Sequence, residues 1–296
     1  METGRTAFET AGCGKCPLKT LRLCRSVFGL AGGGVQPPLP RLRRIPAEAR
    51  LQEEDELPRV TGVLRSGFLR TERILRDGQR TVLGFLAPGD LVGDVAGIPR
   101  GPALVAVTDA EICAFDPAAL RRAMAKDAPF HATVLADVMR QHIRQLEMVW
   151  RRGALGSRER IVAFLVMATE FMPTKTRKDG SLVLDMVVSR RDWADFACTT
   201  VETICRTLGD LAERGLIAQE SPGRYRIRDL AALAELARLD PLRDPRAMIL
   251  DATAQPAPKG GAHRAPKPGR PAALRMPERN GAPRPLLPSA PWEGRP

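Results

Sequence analysis

SRRDWADFACTTVETICRTLGDLAERGLI, residues 189–217, decides how this chain folds. It opens on a serine, whose side-chain oxygen can accept from the amides left unpaired at a helix start. Trp193, Phe196 and Ala197 then share the inner face of a short helix. Cys198 and Thr199 make a turn. A second helix begins at Thr200, whose hydroxyl can accept from the amide of Glu202 or Thr203. Val201, Ile204, Leu208 and Leu211 give that helix a buried stripe, leaving Glu202, Thr203, Cys205, Arg206 and Asp210 on or near its outer side. Gly215 follows, and AQESPGRYRIR (218–228) reads as a β-hairpin. Two helices joined by a tight turn and followed by a hairpin describe a winged helix-turn-helix, whose second helix enters the major groove by its N-terminal end.

Two side chains there suit base readout. Glu202 can accept from a cytosine amino group, and Arg206 can donate twice to guanine O6 and N7. Being four apart, they also suit an intrahelical ion pair worth about 0.2–0.5 kcal/mol. The readings are compatible, since the acid can orient the arginine. Arg190, Thr200 and Thr203 are the expected phosphate contacts.

Around this segment lie a helix over 158–171, a strand-like LVLDMVV and a last Ala/Leu-rich helix. Residues 117 to about 152 have helical period. Leu135, Met139, His142, Leu146 and Val149 recur at alternating steps of four and three, a seam that suits pairing with a second copy, or packing on the domain's own core. His142 reads as a tolerated polar residue in that seam, not a ligand. Before it come short apolar runs at Val63–Leu64, Phe68–Leu69, Ile74–Leu75, Val82–Leu86, Leu91–Val92 and Ala103–Val107, with turns at Asp77–Gly78 and Pro88–Gly89–Asp90. This pattern predicts a small β-barrel or roll.

The 296 residues suffice for two domains and their linkers. Aromatics make up only 4%, so the cores must be mostly aliphatic. The net charge of +12 points to an acidic partner such as nucleic acid, although residues 252–296 carry eight Lys or Arg against two acids and 11 of the 26 prolines. That tail has no apolar periodicity, and disorder is expected there. With no apolar run of 18 residues and no signal core in METGRTAFETAG, a cytoplasmic protein with no membrane partner is expected. CGKCPLKTLRLC, residues 13–24, places three of the six cysteines together, followed by the linker AGGGVQPPLP. In a reducing compartment such thiols are ligands, reactive groups or small core residues rather than disulfides.

Residues 189–217 together with GFLAPGDLVGDVAG resemble the cyclic-AMP receptor protein superfamily over about residues 10–240. The implied fold is α+β: an N-terminal β-roll like a cyclic-nucleotide-binding domain, a long dimerisation helix and a C-terminal winged helix-turn-helix. The matching boundaries are a cysteine segment and linker over 1–36, the roll over 37–125, the dimer helix over 126–155, the DNA-binding domain over 156–241 and the basic tail over 242–296. Where nucleotide-binding members have Gly-Glu-Leu and an Arg-Ser or Arg-Thr pair, this chain reads Gly93-Asp94-Val95 and Gly101-Pro102, so no cyclic nucleotide is expected. Glu202-Thr-Ile-Cys205-Arg206 resembles the E-x-x-S-R of the FNR (fumarate and nitrate reduction) type, implying a site close to TTGAT…ATCAA, with Cys205 among the base contacts in place of serine. The resemblance further implies a [4Fe–4S] cluster on Cys13, Cys16, Cys24 and Cys113, oxygen-gated dimerisation, activation of anaerobic genes through RNA polymerase, and no enzyme activity. Zinc, or no metal, is the alternative filling of the cysteine site. A regulator without a cluster, controlled by oxidation of the exposed thiol of Cys205 or by its level of synthesis, is the alternative mechanism. An iron–sulfur electron carrier is the reading from another class.

Overall fold

The computed structural model describes residues 13–30, 35–56, 60–93, 95 and 101–239. The tail expected over 242–296, Asp94 and residues 31–34 of the linker lie outside them. Two four-stranded antiparallel sheets form the roll. One runs β1 (Arg41–Ile45), β8 (Ala110–Phe115), β3 (Thr61–Ser66), β6 (Leu91–Val92). The other runs β2 (Arg50–Gln52), β7 (Ala103–Ala106), β4 (Leu69–Ile74), β5 (Arg80–Leu86). Leu51, Leu64, Leu69, Leu86, Val92, Leu104 and Ile112 fill the space between them. The β4–β5 turn is closed by Gly78 at φ 86°, its amide donating to Leu75 O at 2.9 Å. Gly62 in β3 lies so close to β8 that a Cβ there would sit 2.3 Å from the Cys113 carbonyl oxygen.

The helical block after the roll is two helices, not one. α2 (Pro117–Lys126) and α3 (Ala128–Ala154) are separated at Asp127, whose carboxylate accepts from the Phe130 amide at 2.7 Å and starts the second helix. Ahead of the roll, α1 (Arg22–Leu30) buries Leu23, Val27 and Leu30 against Leu120 and Ala123 of α2 and Phe130 and Val134 of α3.

Leu155 and Gly156 join α3 to α4 (Ser157–Phe171). There follow β9 (Thr174–Thr176), β10 (Leu182–Asp185), α5 (Arg190–Ala197), α6 (Val201–Glu213), the hairpin β11 (Ile217–Ser221) and β12 (Arg224–Ile227), and α7 (Leu230–Leu236). The third sheet has the order β11-β12-β10-β9. Phe164 is the hub of this domain's core, with ring centroids 5.3 Å from Trp193 and 4.9 Å from Phe196. The same core takes in Phe68, Val82 and Phe85 of the roll, and Met148 of α3.

Candidate functional site

The first helix of the helix-turn-helix starts as its sequence dictates. Ser189 accepts from the Asp192 amide at 3.0 Å, and α5 ends at Cys198 in the left-handed conformation, φ 49°. Thr200 caps α6, accepting from the Thr203 amide at 3.2 Å and sharing a 2.9 Å hydrogen bond between the two hydroxyls. Ile204, Leu208 and Leu211 are buried as expected, but Val201 is 40% exposed and leaves the stripe. It sits at the first helical position. Thr207 takes the inner place instead, its hydroxyl donating to Thr203 O at 2.8 Å.

On the outer face Glu202 and Arg206 lie side by side, their side chains 76% and 74% exposed, with an Arg206 Nη2 to Glu202 Oε1 hydrogen bond of 2.5 Å. Cys205 is exposed beside them. Arg190 is already engaged. Its Nη1 donates to Cys205 Sγ at 2.8 Å and its Nη2 to Gln219 Oε1 at 3.4 Å, and hydrogen bonding with Tyr225 raises its pKa further. It ties the first helix to the second and to the wing, a role that its position at a helix start did not reveal. Asp210 pairs with Arg158 across α4 and α6.

The four cysteines assigned together come from three elements. Cys13 opens a 3-10 turn, Cys16 is buried between that turn and the next, Cys24 lies on α1, and Cys113 lies on β8 opposite Leu42 and Val63. Their thiols share one electrostatic neighbourhood. Burial, then the fields of Cys113, Cys16 and Cys13, push Cys24 up to about 12. Burial, then Cys13 and Cys16, push Cys113 up to about 11, against the opposing charge of Arg65. Cys13 is raised by burial and by Cys16. Among the described residues, no three or more His, Cys, Asp or Glu are closed tightly enough to hold a single metal ion.

Along α3 the seam residues Leu135, Met139, Leu146 and Val149 are 53%, 46%, 53% and 61% exposed, and His142 is exposed with them. Val138, Ile143 and Trp150 extend this apolar surface, and the regular four-and-three spacing missed them. No helix among the described residues is long and apolar enough to cross a membrane.

Two family models match the chain: the cyclic nucleotide-binding domain over residues 42–127 and the Crp-like helix-turn-helix domain over residues 159–236. The nitrogen fixation regulation protein FixK of Rhizobium meliloti is 33% identical over 153 residues, covering 52% of this chain and 66% of that protein. The transcriptional activator protein FnrL of Cereibacter sphaeroides is 26% identical over 185 residues, covering 62% of this chain and 74% of that protein. The solved structure of FixK2 from Bradyrhizobium japonicum superposes with a TM-score of 0.62 at 21% identity, over 67% of this chain and 96% of that one. Both domain matches fall in the order roll then helix-turn-helix, and the chain belongs to the CRP/FNR family of DNA-binding transcription regulators.

Proposed function

We propose that this protein is an oxygen-responsive regulator of the FNR type, active as a homodimer, in which Cys13, Cys16, Cys24 and Cys113 hold a [4Fe–4S] cluster. The observation that carries the reading is the shared neighbourhood of these four thiols, drawn from the N-terminal segment and from β8. Four thiolates are the donor set such a cluster takes, so the residues present fit it. When bound, the cluster supplies an oxygen-labile redox centre.

The chain's own residues carry the state of that segment to the dimer seam. Leu23 and Val27 of α1 pack in one core with Phe130 and Val134 of α3, and Ser26 bonds Thr133 at 3.2 Å. Leu135, the first seam residue, follows directly. Loosening the cysteine segment strips that contact from the start of α3. Pairing along Leu135, Met139, His142, Leu146 and Val149 sets two α6 helices roughly one DNA turn apart, ~34 Å, on an inverted repeat close to TTGAT…ATCAA. Glu202, Cys205 and Arg206 read bases there, with Arg190, Thr200 and Thr203 at the phosphates, and RNA polymerase is the partner at activated promoters. The roll takes no cyclic nucleotide, since Gly101–Pro102 offers a cyclic phosphate no charge.

A second reading rests on the 2.8 Å Arg190–Cys205 contact. Oxidation of Cys205 would alter the reading face directly, with the cysteine site playing no part. Anaerobic purification with visible spectroscopy and iron and sulfide analysis separates the two. Broad absorption that bleaches in air, about four irons per chain, and loss of both on Cys24→Ala are expected. An iron-free protein whose DNA affinity responds to peroxide only while Cys205 is intact would replace the cluster reading with the thiol one.

A further inference from the structure

A sunken group of charges lies between the roll and the first helix of the helix-turn-helix. Arg80, on β5, donates Nε and Nη2 to Asp195 Oδ2 at 2.8 and 2.6 Å, and Nη2 also reaches Asp192 Oδ1 at 2.6 Å. The Asp192 side chain is 5% exposed and that of Asp195 23%. Behind them Arg70 donates to Glu72 at 2.9 Å and to both oxygens of Glu48 at 3.0 and 2.8 Å, with Asp192 3.6 Å away. Arg50 reaches the other oxygen of Glu72 at 2.9 Å. Burial works against the charge on Arg80, and the hydrogen bond with Asp195 and the field of Asp192 outweigh it.

Beside this group Phe85 touches Phe196 and Phe164, ring centroids 5.4 and 5.6 Å apart. The two domains therefore meet through contacts of different character. An apolar contact has no direction and tolerates sliding, whereas a guanidinium gripping carboxylates fixes an angle. Asp192 is also engaged locally with Ser189, whereas the hydrogen bonds described for Asp195 run to Arg80 alone. With the contact closed, Glu202 and Arg206 remain exposed, so it does not cover the reading face.

We propose that Arg80 and Asp195 are positioning residues for DNA binding: their ion pair fixes the angle of the helix-turn-helix on the roll, and so the half-site spacing that a dimer accepts. This rests on the reading of the chain as a dimeric DNA-binding protein. A two-half-site complex depends on how well the two heads match the DNA, whereas a single half-site does not.

The test uses the full chain with Arg80→Gln, Asp195→Asn, the double variant and Arg80→Lys. Affinity is measured on inverted repeats with a graded series of spacers and on DNA bearing one half-site, with folding checked by circular dichroism. In each single variant the preferred spacer should weaken about tenfold and the penalty for neighbouring spacers shrink, while single-half-site binding stays within about twofold. The double variant should be no worse than Arg80→Gln, which already removes the pair, and Arg80→Lys, which keeps the charge without the fork, should fall between wild type and Arg80→Gln. Folded Arg80→Gln and Asp195→Asn proteins that keep the wild-type spacer optimum would overturn the proposal, and so would losses that add in the double variant. Should Arg80→Gln unfold, Asp195→Asn decides alone, since it leaves the Ser189 cap in place. A wild type that binds no repeat overturns the DNA-binding reading, an outcome distinct from a sharp optimum that the variants retain.

Discussion

Arg206 stands beside Glu202 with three-quarters of its side chain in solvent, so an exposed ion pair of this kind adds little to stability. Its value lies in what it presents outward. Arg206→Ala should leave the melting temperature unchanged and weaken specific DNA binding by about 1–3 kcal/mol, roughly five- to 150-fold, while relaxing preference at one base pair of each half-site. Fluorescence anisotropy on a set of singly substituted sites measures both effects. A uniform loss across all sites would instead make Arg206 a phosphate contact.

At the scale of elements, α3 and the helix-turn-helix sheet give separate predictions. Seven exposed apolar residues from Leu135 to Trp150 line α3, a surface that suits a second copy against it. Leu146→Glu should produce a monomer in sedimentation at micromolar concentration, with affinity for a two-half-site repeat falling by about 100-fold or more because the half-sites are no longer linked. In the β9–β10 turn, Asp179 accepts from the Ser181 hydroxyl at 2.6 Å and from its amide at 3.0 Å, and it pairs with Arg226 of β12. The Ser181 bonds, then Arg226, lower its pKa from 3.8 to about 2. A carboxylate with a depressed folded-state pKa stabilises the fold above its unfolded value and loses that contribution as pH falls through its folded value. The melting-temperature gap between wild type and Asp179→Asn should therefore be constant above about pH 5 and close toward about pH 2.

For the whole molecule the decisive feature is a core shared between the roll, α3 and the helix-turn-helix. Phe164 meets Phe85 of the roll, and Phe171, Trp193 and Phe196 of its own domain. Arg152 of α3 lies 4.7 Å over the Phe196 ring and donates to Val82 O and Leu83 O at 2.6 and 3.0 Å. Arg160 of α4 donates to Leu155 O and Ala197 O at 2.8 and 2.7 Å, pinning the α3–α4 joint to the end of α5. Phe164→Ala should cost about 3–5 kcal/mol and lower roll and helix-turn-helix melting together, because one cavity opens beneath both. Calorimetry with tryptophan fluorescence reads this, and a loss confined to the Trp193 signal would show that the domains unfold independently.

The sequence by itself determined what is local. Ser189 and Thr200 as caps, the turn at Cys198, the outward Glu202–Arg206 pair and the glycine turn after Asp77 each follow from residues within a few positions of one another. The spacing of the α3 seam was legible for the same reason, although its breadth was not. What only the tertiary structure decided involves partners far apart in the chain. Val201 is 40% exposed although it falls on the apolar spacing of α6, which periodicity along one helix cannot report. No rule of spacing links Cys113 to the N-terminal cysteines, and only the family resemblance grouped them; in the fold Cys113 lies on β8, held between β1 and β3. The Arg80–Asp195 pair spans 115 residues. Each partner alone reads as an ordinary charged side chain, and the low-dielectric cleft that makes them matter exists only once the two domains have packed.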